Sequence, residues 1–319
     1  MLSNKEIVCP NNLLNVAHQK KGISAGIVNA GKSITMMSVM DAVNENLITP
    51  TFIGNKEEIE KCALELNFDI SEFEILDEKN ENKTAVIAAE LASKEKIKII
   101  VKGHIHTDVL MKEVIKKKYN LIGKTRLSHI WHMTLDKEDK PLIITDGALN
   151  VSPNVKTKMH ILKNVINFCN RIGNERPKVS ILSATEEVLD SVQSSLDAKE
   201  ITELAKKENL KADVFGPLAF DNSISKKSAE IKGIKNVVAG NSDVLLVPNV
   251  ETGNALVKIM VYFMGACAAG VVVGGKVPVV ITSRSDVATA RLASIAAAVV
   301  ALDLSLIHIS EPTRLAPIS

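Results

Sequence analysis

The stretch Val277–Leu302, VPVVITSRSDVATARLASIAAAVVAL, decides the fold class. It opens with an apolar run, Val277–Thr282, that reads as a buried strand. A polar turn follows, Thr282-Ser283-Arg284-Ser285-Asp286. Ala288–Leu302 then reads as a strong helix, Ala-rich and almost polar-free after Ser294. Strand, polar turn and helix in that order form the repeating unit of an α/β protein. Ser283, Ser285 and Asp286 are residue types that cap helices. Arg284 adds a fixed cation whose fork can grip a phosphate. A Ser-Arg pair between a strand end and a helix start makes a site for a phosphate or an oxyanion.

The same alternation extends outward through the chain. Strands are expected at Ile23–Asn29, Thr51–Gly54, Phe73–Leu76, Ile97–Val101, Ser128–Leu135, Leu142–Thr145, Lys178–Leu182, Ala212–Phe215 and Val244–Val247. Helices are expected at Ser33–Asn46, Glu57–Asn67, Lys83–Lys94, Asp108–Lys118 and Val155–Arg171. This is an α/β pattern, with mainly parallel sheets and helices on both faces. The 319 residues give room for about two domains. No low-complexity linker separates them, so the two domains share strands or the chain crosses twice.

Composition narrows the function classes. Lys plus Arg is 39 and Asp plus Glu is 37, a net charge of +2, which leaves no electrostatic footprint for nucleic acid. One Trp, two Tyr and seven Phe are too few for a base-stacking platform. Cys9, Cys62, Cys169 and Cys267 stand apart with no CxxC, which predicts a reduced, cytoplasmic chain without disulfides. The N-terminus shows no apolar secretory segment. The most apolar stretch, IMVYFMGACAAGVVVGG between Lys258 and Lys276, is 17 residues long and holds four glycines. A membrane span needs about 20 apolar residues, so this stretch reads as a helix end, a turn and a core strand. Leu304–Arg314, LSLIHISEPTR, reads like a translated sequencing adapter. Residues 304–319 are therefore set aside as a non-native tail, and His308 and Glu311 are expected to carry no function.

Several motifs carry both a chemical and a purely structural reading. Gly26–Ser33, GIVNAGKS, matches the P-loop pattern letter for letter. Ile27 and Val28 are strand formers, however, and no Walker-B strand follows, so the match is read as accidental. Val101–Thr107, VKGHIHT, places Lys102 and Thr107 around a turn that opens a helix, a general anion site. The pairs His104/His106 and His129/His132 lack further ligands for a metal. Arg126 and Ser128 precede a strand. Asp146 and Asn150 follow the strand Leu142–Thr145, where α/β folds bind ligands; the same residues also suit an Asx-stabilised turn. Gly216 and Pro217 follow the strand Ala212–Phe215 and divide in the same way between site and turn.

Taken together, VKGHIHTDVLMKEV, LSHIWHM, ITDGALNVSPN, PKVSILSATE, FGPLAFDNSIS, DVLLVPNVETGN and VVITSRSD resemble the phosphate acetyl/butyryl transferase family. The resemblance is good over Lys96–Leu302 and looser before it. It implies a two-domain fold of the isopropylmalate-dehydrogenase-like type with the active site in the cleft between domains. Residues 1–133 and 273–303 would form a discontinuous domain I, and 134–272 an inserted domain II. The implied reaction is reversible transfer of a short-chain acyl group between coenzyme A and phosphate. Butyryl-CoA plus phosphate would give butyryl phosphate plus CoA, with acetyl as the alternative. Acyl-CoA and phosphate are then substrates, no cofactor is tightly bound, no metal enters the chemistry, and the chain forms a homodimer or larger homo-oligomer without nucleic acid or membrane.

By the same resemblance Ser283 would donate to the acyl carbonyl and Arg284 would hold phosphate, with Arg126 a second cation. Lys102, Thr107, Ser128, Asp146, Asn150, Gly216 and Pro217 are the further phosphate- or CoA-binding candidates. The general base is where this chain departs from the family. Thr289 and Ala290 stand where relatives carry an acidic residue, and Val287 replaces a small polar one. Asp286 is the nearest remaining acid; either it is the base, or another residue serves, or the chain is a non-catalytic CoA-binding relative. Mg²⁺-dependent decarboxylating dehydrogenases share the fold type but need a carboxylate cluster that this sequence lacks.

Overall fold

The computed structural model describes residues 2–137, 140–282 and 286–302. The chain begins with α1 (Asn11–Ala17), β1 (Ile23–Val28), α2 (Ser33–Asn44), β2 (Ile48–Gly54), α3 (Lys56–Glu65), β3 (Ile75–Asp77), α4 (Glu81–Ser93), β4 (Ile99–Lys102) and α5 (Thr107–Val114). Next come β5 (Ser128–Thr134), β6 (Leu142–Thr145), α6 (Val155–Arg171), β7 (Lys178–Leu182), α7 (Gln193–Lys207), β8 (Asp213–Leu218), α8 (Phe220–Ile224) and α9 (Lys226–Ile231). It closes with β9 (Val244–Leu246), α10 (Val250–Met264), β10 (Cys267–Val273), β11 (Val279–Val280) and α11 (Ala288–Ala301).

Among the described residues these strands form one sheet, ordered β3-β2-β1-β4-β11-β10-β5-β6-β9-β7-β8. The first five run parallel to their neighbours, as do β6, β9, β7 and β8. Between the two parallel blocks lies an antiparallel seam. In it β10 pairs with β5 over seven residues, from Cys267 opposite Thr134 to Val273 opposite Ser128.

Helices cover both faces. On one face α4 and α5 bury Ala85, Ala88, Leu110 and Met111 over the first block, while α10 buries Val257 against Met133, Ile144 and Ala268 of the second. On the other face α2, α6 and α11 share a single core that includes Met36, Ile161 and Ile295.

Helix α11 is the axis of that core. Every residue from Ala290 to Val300 is buried, which explains why its sequence has no polar stripe. Its last carbonyls are held by two cations. Lys20 Nζ donates to the Val299, Val300 and Leu302 oxygens at 3.2, 3.0 and 2.7 Å, and Arg171 Nη1 donates to the Ala301 oxygen at 2.8 Å. Positive charge suits the C-terminus of a helix dipole.

The apolar stretch 259–275 resolves as anticipated. It is the end of α10, a left-handed turn at Gly265 (φ 69°) and the core strand β10. Among the described residues no helix is long and apolar enough to cross a membrane. All four cysteines are free.

Four expectations need correction. Strand β8 continues to Leu218, so Gly216 and Pro217 lie inside it rather than in a following loop; a proline is tolerated there because β8 is an edge strand. The expected strand Val277–Thr282 shrinks to Val279–Val280. Pro278 has no N–H for the ladder, and it contributes only its carbonyl, which accepts from Ile100 N at 3.1 Å. Strand β2 starts at Ile48, ahead of Thr51, and Pro50 fits because β3 pairs only from Phe52 onward. Helix α5 stops at Val114, and a short 3₁₀ turn at Lys117–Tyr119 then tucks in the Tyr119 ring.

Helices α6 and α7 are joined by a buried ion pair, Lys158 Nζ to Asp197 Oδ2 at 2.7 Å. Removing one partner strands the other charge in the core. Asp197→Ala should therefore lower the unfolding free energy by about 3 kcal/mol, read from the urea midpoint, while Lys158→Met/Asp197→Leu should recover most of that loss.

Candidate active site

The site grows from the antiparallel seam. Strand periodicity puts His129, Trp131 and Met133 on one face of β5 and Ser128, Ile130 and His132 on the other. The first face lies between the cluster under α5 and the cluster under α10. His129 and Trp131 lie across Gly270 of the neighbouring strand, with ring centroids 4.4 Å apart. A Cβ at Gly270 would sit 2.6 Å from Trp131 and 2.9 Å from His129. Glycine at this position is what lets two rings floor the cleft. Trp131 Nε1 is buried with no hydrogen-bond partner among the described residues, and the buried His129 ring faces the Ile281 backbone. A buried indole N–H without a partner beside this floor marks a place where a polar ligand or ordered water completes the network.

At one end of the floor stands a polar hub. Asp146 is 2 % exposed. Its Oδ2 accepts from His129 N at 3.0 Å and Asn150 Nδ2 at 2.7 Å. Its Oδ1 accepts from Ala148 N at 3.0 Å and Leu149 N at 2.9 Å. Asn150 in turn donates to the Leu127 carbonyl at 2.9 Å and accepts from Arg126 Nε at 3.1 Å. The hub thus aims the Arg126 guanidinium. The turn is pressed against the start of α10, where Gly147 and Gly253 meet backbone to backbone and a Cβ on either would come within 2.8 Å. Asn249 caps α10 by accepting from Thr252 N at 3.0 Å. Leu149 and Ile281 pack on the buried cluster that also holds Ile105 and Leu110, so the hub and the β4–α5 loop adjoin.

At the other end lies a cavity of about 430 Å³, walled by Trp131, Val257, Val261, Ala266, Ala268 and Ala290. Asp286, Val287 and Asn254 stand along it, and Leu2, Ser3 and Ile7 of the N-terminal segment close one side. The N-cap of α11 is Val287, whose side chain makes no cap bond. Asp286 is therefore not the helix cap that its residue type suggests. Its carbonyl accepts from Arg291 Nε at 3.2 Å, and Arg291 is only 6 % exposed. Burial holds the Arg291 pKa below its ordinary value, and the Asp286 charge opposes that shift. Burial pushes the nearby Cys267 thiol up to about 12, and the Asp286 charge adds to the shift.

The family model for "phosphate acetyl/butaryl transferase" matches residues 78–299. The chain belongs to this family. A phosphate acetyltransferase of Rickettsia felis is 36% identical over 276 residues, covering 86% of this chain and 79% of that protein. A phosphate butyryltransferase of Clostridium acetobutylicum is 34% identical over 290 residues, covering 90% and 96%. The crystal structure of a branched-chain phosphotransacylase from Enterococcus faecalis matches with a TM-score of 0.76 at 29% identity, covering 88% of this chain and 98% of that one. Family membership makes the chain an acyltransferase with a two-domain α/β fold.

The structure gathers some of the expected family residues and disperses others. Arg126, Asp146 and Asn150 meet directly in the hub, and Asp286 faces the cavity beyond Trp131. Lys102 ends β4 and is 5 % exposed, while Thr107 is an exposed residue at the start of α5. Ser128 is fully buried, and its hydroxyl accepts from Asn164 Nδ2 at 2.8 Å, beneath the sheet from the cleft floor. Gly216 and Pro217 lie on β8, with β9 and β7 between them and β6. Ser283 and Arg284 lie outside the described residues, as does the tail 304–319.

In the P-loop-like stretch, Gly26 is paired within β1, and Lys32 lies 3.4 Å from Glu58. His129 and His132 face opposite sides of the sheet and make no ligand pair. The sequence reading overlooked His129 as more than half of that pair. Trp131, Asn254 and Arg291 carried no motif in the sequence.

Two predictions follow from this geometry. Asp146→Asn keeps the shape but turns an amide NH₂ toward groups that all donate, so it should cost about 2–3 kcal/mol in chemical denaturation. His129 and His132 are both held at about 4 by burial, against about 6.5 in an unfolded chain. The unfolded state therefore binds more protons between those values. Stability is full above pH 6.5 and falls as the pH drops toward 4, by on the order of 3 kcal/mol per histidine. Urea midpoints across that range should show the fall, and His132→Leu should make it about half as steep.

Proposed function

We propose that this chain reversibly transfers a short-chain acyl group between coenzyme A and inorganic phosphate, with butyryl preferred to acetyl and no tightly bound cofactor. The observation that supports this most is the juxtaposition on one floor of a guanidinium-aiming polar hub and an apolar cavity edged by Asp286. Acyl transfer to phosphate needs an anion-holding end and an apolar end side by side. The butyryl preference is supported by that cavity. In this reading residues 1–133 with 273–303 form one domain and 134–272 the other, the cleft lies between them, and the chain works as a homodimer or larger homo-oligomer.

In the acyl-phosphate direction the CoA thiol loses its proton, and the thiolate attacks the acyl carbonyl. The carbonyl oxygen takes up negative charge and is stabilised by donors, with Ser283 the candidate. Phosphate leaves as an anion held by Arg284 and Arg126, with Lys102 and Thr107 serving phosphate or CoA. Asp146 and Asn150 act through Arg126 as positioning residues, and Ser128 supports β5 from below. Asp286 takes the thiol proton. An aspartate near 3.9 is a weak base toward a thiol near 8.5, so the role of Asp286 depends on bound CoA and acyl phosphate shielding its carboxylate from water.

The test is release of free CoA from butyryl-CoA on adding phosphate. Arg284→Ala should raise the phosphate KM and cut kcat by about a hundredfold, while Lys32→Ala should leave both unchanged. Unaltered kinetics in Arg284→Ala would overturn the site. ATP binding that Lys32→Ala abolishes would favour a nucleotide site at Gly26–Ser33 instead.

A further inference from the structure

We infer that the cavity between α10, β10 and the start of α11 receives the acyl chain, and that Ala268 and Val261 set the chain length it accepts. The inference rests on the acyl-transfer reading and goes beyond it by assigning the specificity determinants. Three observations carry it. First, the cavity adjoins the site, since Trp131 belongs both to the cleft floor and to the cavity wall and Asp286 stands on its edge. An acyl group whose carbonyl carbon reacts beside Asp286 would lay its methylenes along the wall beyond.

Second, the lining is mostly apolar, although Lys258 and Tyr262 also reach it, and its room comes from small residues. Ala266, Ala268 and Ala290 are buried at positions where longer side chains would fill the space. Ala268 lies on the same face of β10 as Gly270, so its methyl points to the side occupied by Trp131. Third, the open side is closed by this chain's own N-terminal segment. Ser3 N donates to the Tyr262 carbonyl at 2.8 Å, and Ser3 and Lys5 pack over Gly265, where a Cβ would meet them at 2.7 and 2.9 Å. The pocket is thus bounded in length, which suits a short chain.

Each methylene moved from water onto such a wall favours binding severalfold. The two extra carbons of butyryl over acetyl should therefore give the wild type a preference of about fifteenfold in kcat/KM. Ala268→Leu should narrow the pocket beside Trp131 and remove that preference, cutting butyryl-CoA turnover at least tenfold while changing acetyl-CoA turnover less than threefold. Val261→Phe, at a half-buried helix position that tolerates bulk, should act in the same direction.

The assay is phosphate-dependent CoA release from both thioesters, with thermal unfolding of each variant alongside. Selective loss of butyryl turnover in either folded variant supports the inference. Equal loss of both substrates, or no change in either, in a folded variant overturns the pocket assignment and leaves the acyl-transfer reading standing. Wild-type protein that releases CoA from neither thioester overturns both.

Discussion

The rest of the site depends on the crossing at Gly270. Its lack of a side chain lets the His129 and Trp131 rings lie across β10, and its amide N–H donates to Ser294 Oγ of α11 at 2.9 Å. One residue therefore ties the cleft floor to the most buried helix of the protein. Ser294 also donates to the Ala290 carbonyl at 2.8 Å, so this hydroxyl both accepts and donates inside the apolar core. With the middle of α11 fixed there and its end held by Lys20 and Arg171, its start can carry Asp286 to the cavity edge with little freedom.

The Asp146 hub plays the complementary part on the other side of the seam. A buried carboxylate is costly unless its lone pairs are used, and four donors use them. The network fixes the turn, and through Asn150 it reaches Arg126. The close approach of Gly147 and Gly253 then locks the start of α10 to that turn. The hub positions a guanidinium at one end of the floor and the start of α11 holds a carboxylate at the other, so the polar and apolar halves of the site are set by different parts of the chain.

Much of this was legible from short stretches. Val155–Arg171 and Lys178–Leu182 emerged with the bounds that apolar periodicity predicts, because each is long enough or apolar enough to dictate its own period. The segment 259–275 read correctly as helix, turn and strand because Gly265 supplies a left-handed stop. Legibility failed where a proline or a pairing partner decides an end. Pro278 shortens β11, and β7 draws β8 onward to Leu218 through Gly216 and Pro217.

By itself the sequence determined the α/β alternation, the helix α11, the polar turn at Asp146–Asn150, and the family that these stretches resemble. Each of these lives in contiguous residues whose period or composition is a local property. Only the tertiary structure decided that His129 and Trp131 floor the cleft, that Ser128 turns away from it, that Asp286 edges a cavity instead of capping a helix, and that Arg291 is buried behind it. Those facts depend on which strands become neighbours across the β5–β10 seam, and pairing between residues about 140 positions apart is set by the packing of the whole sheet, not by any local stretch.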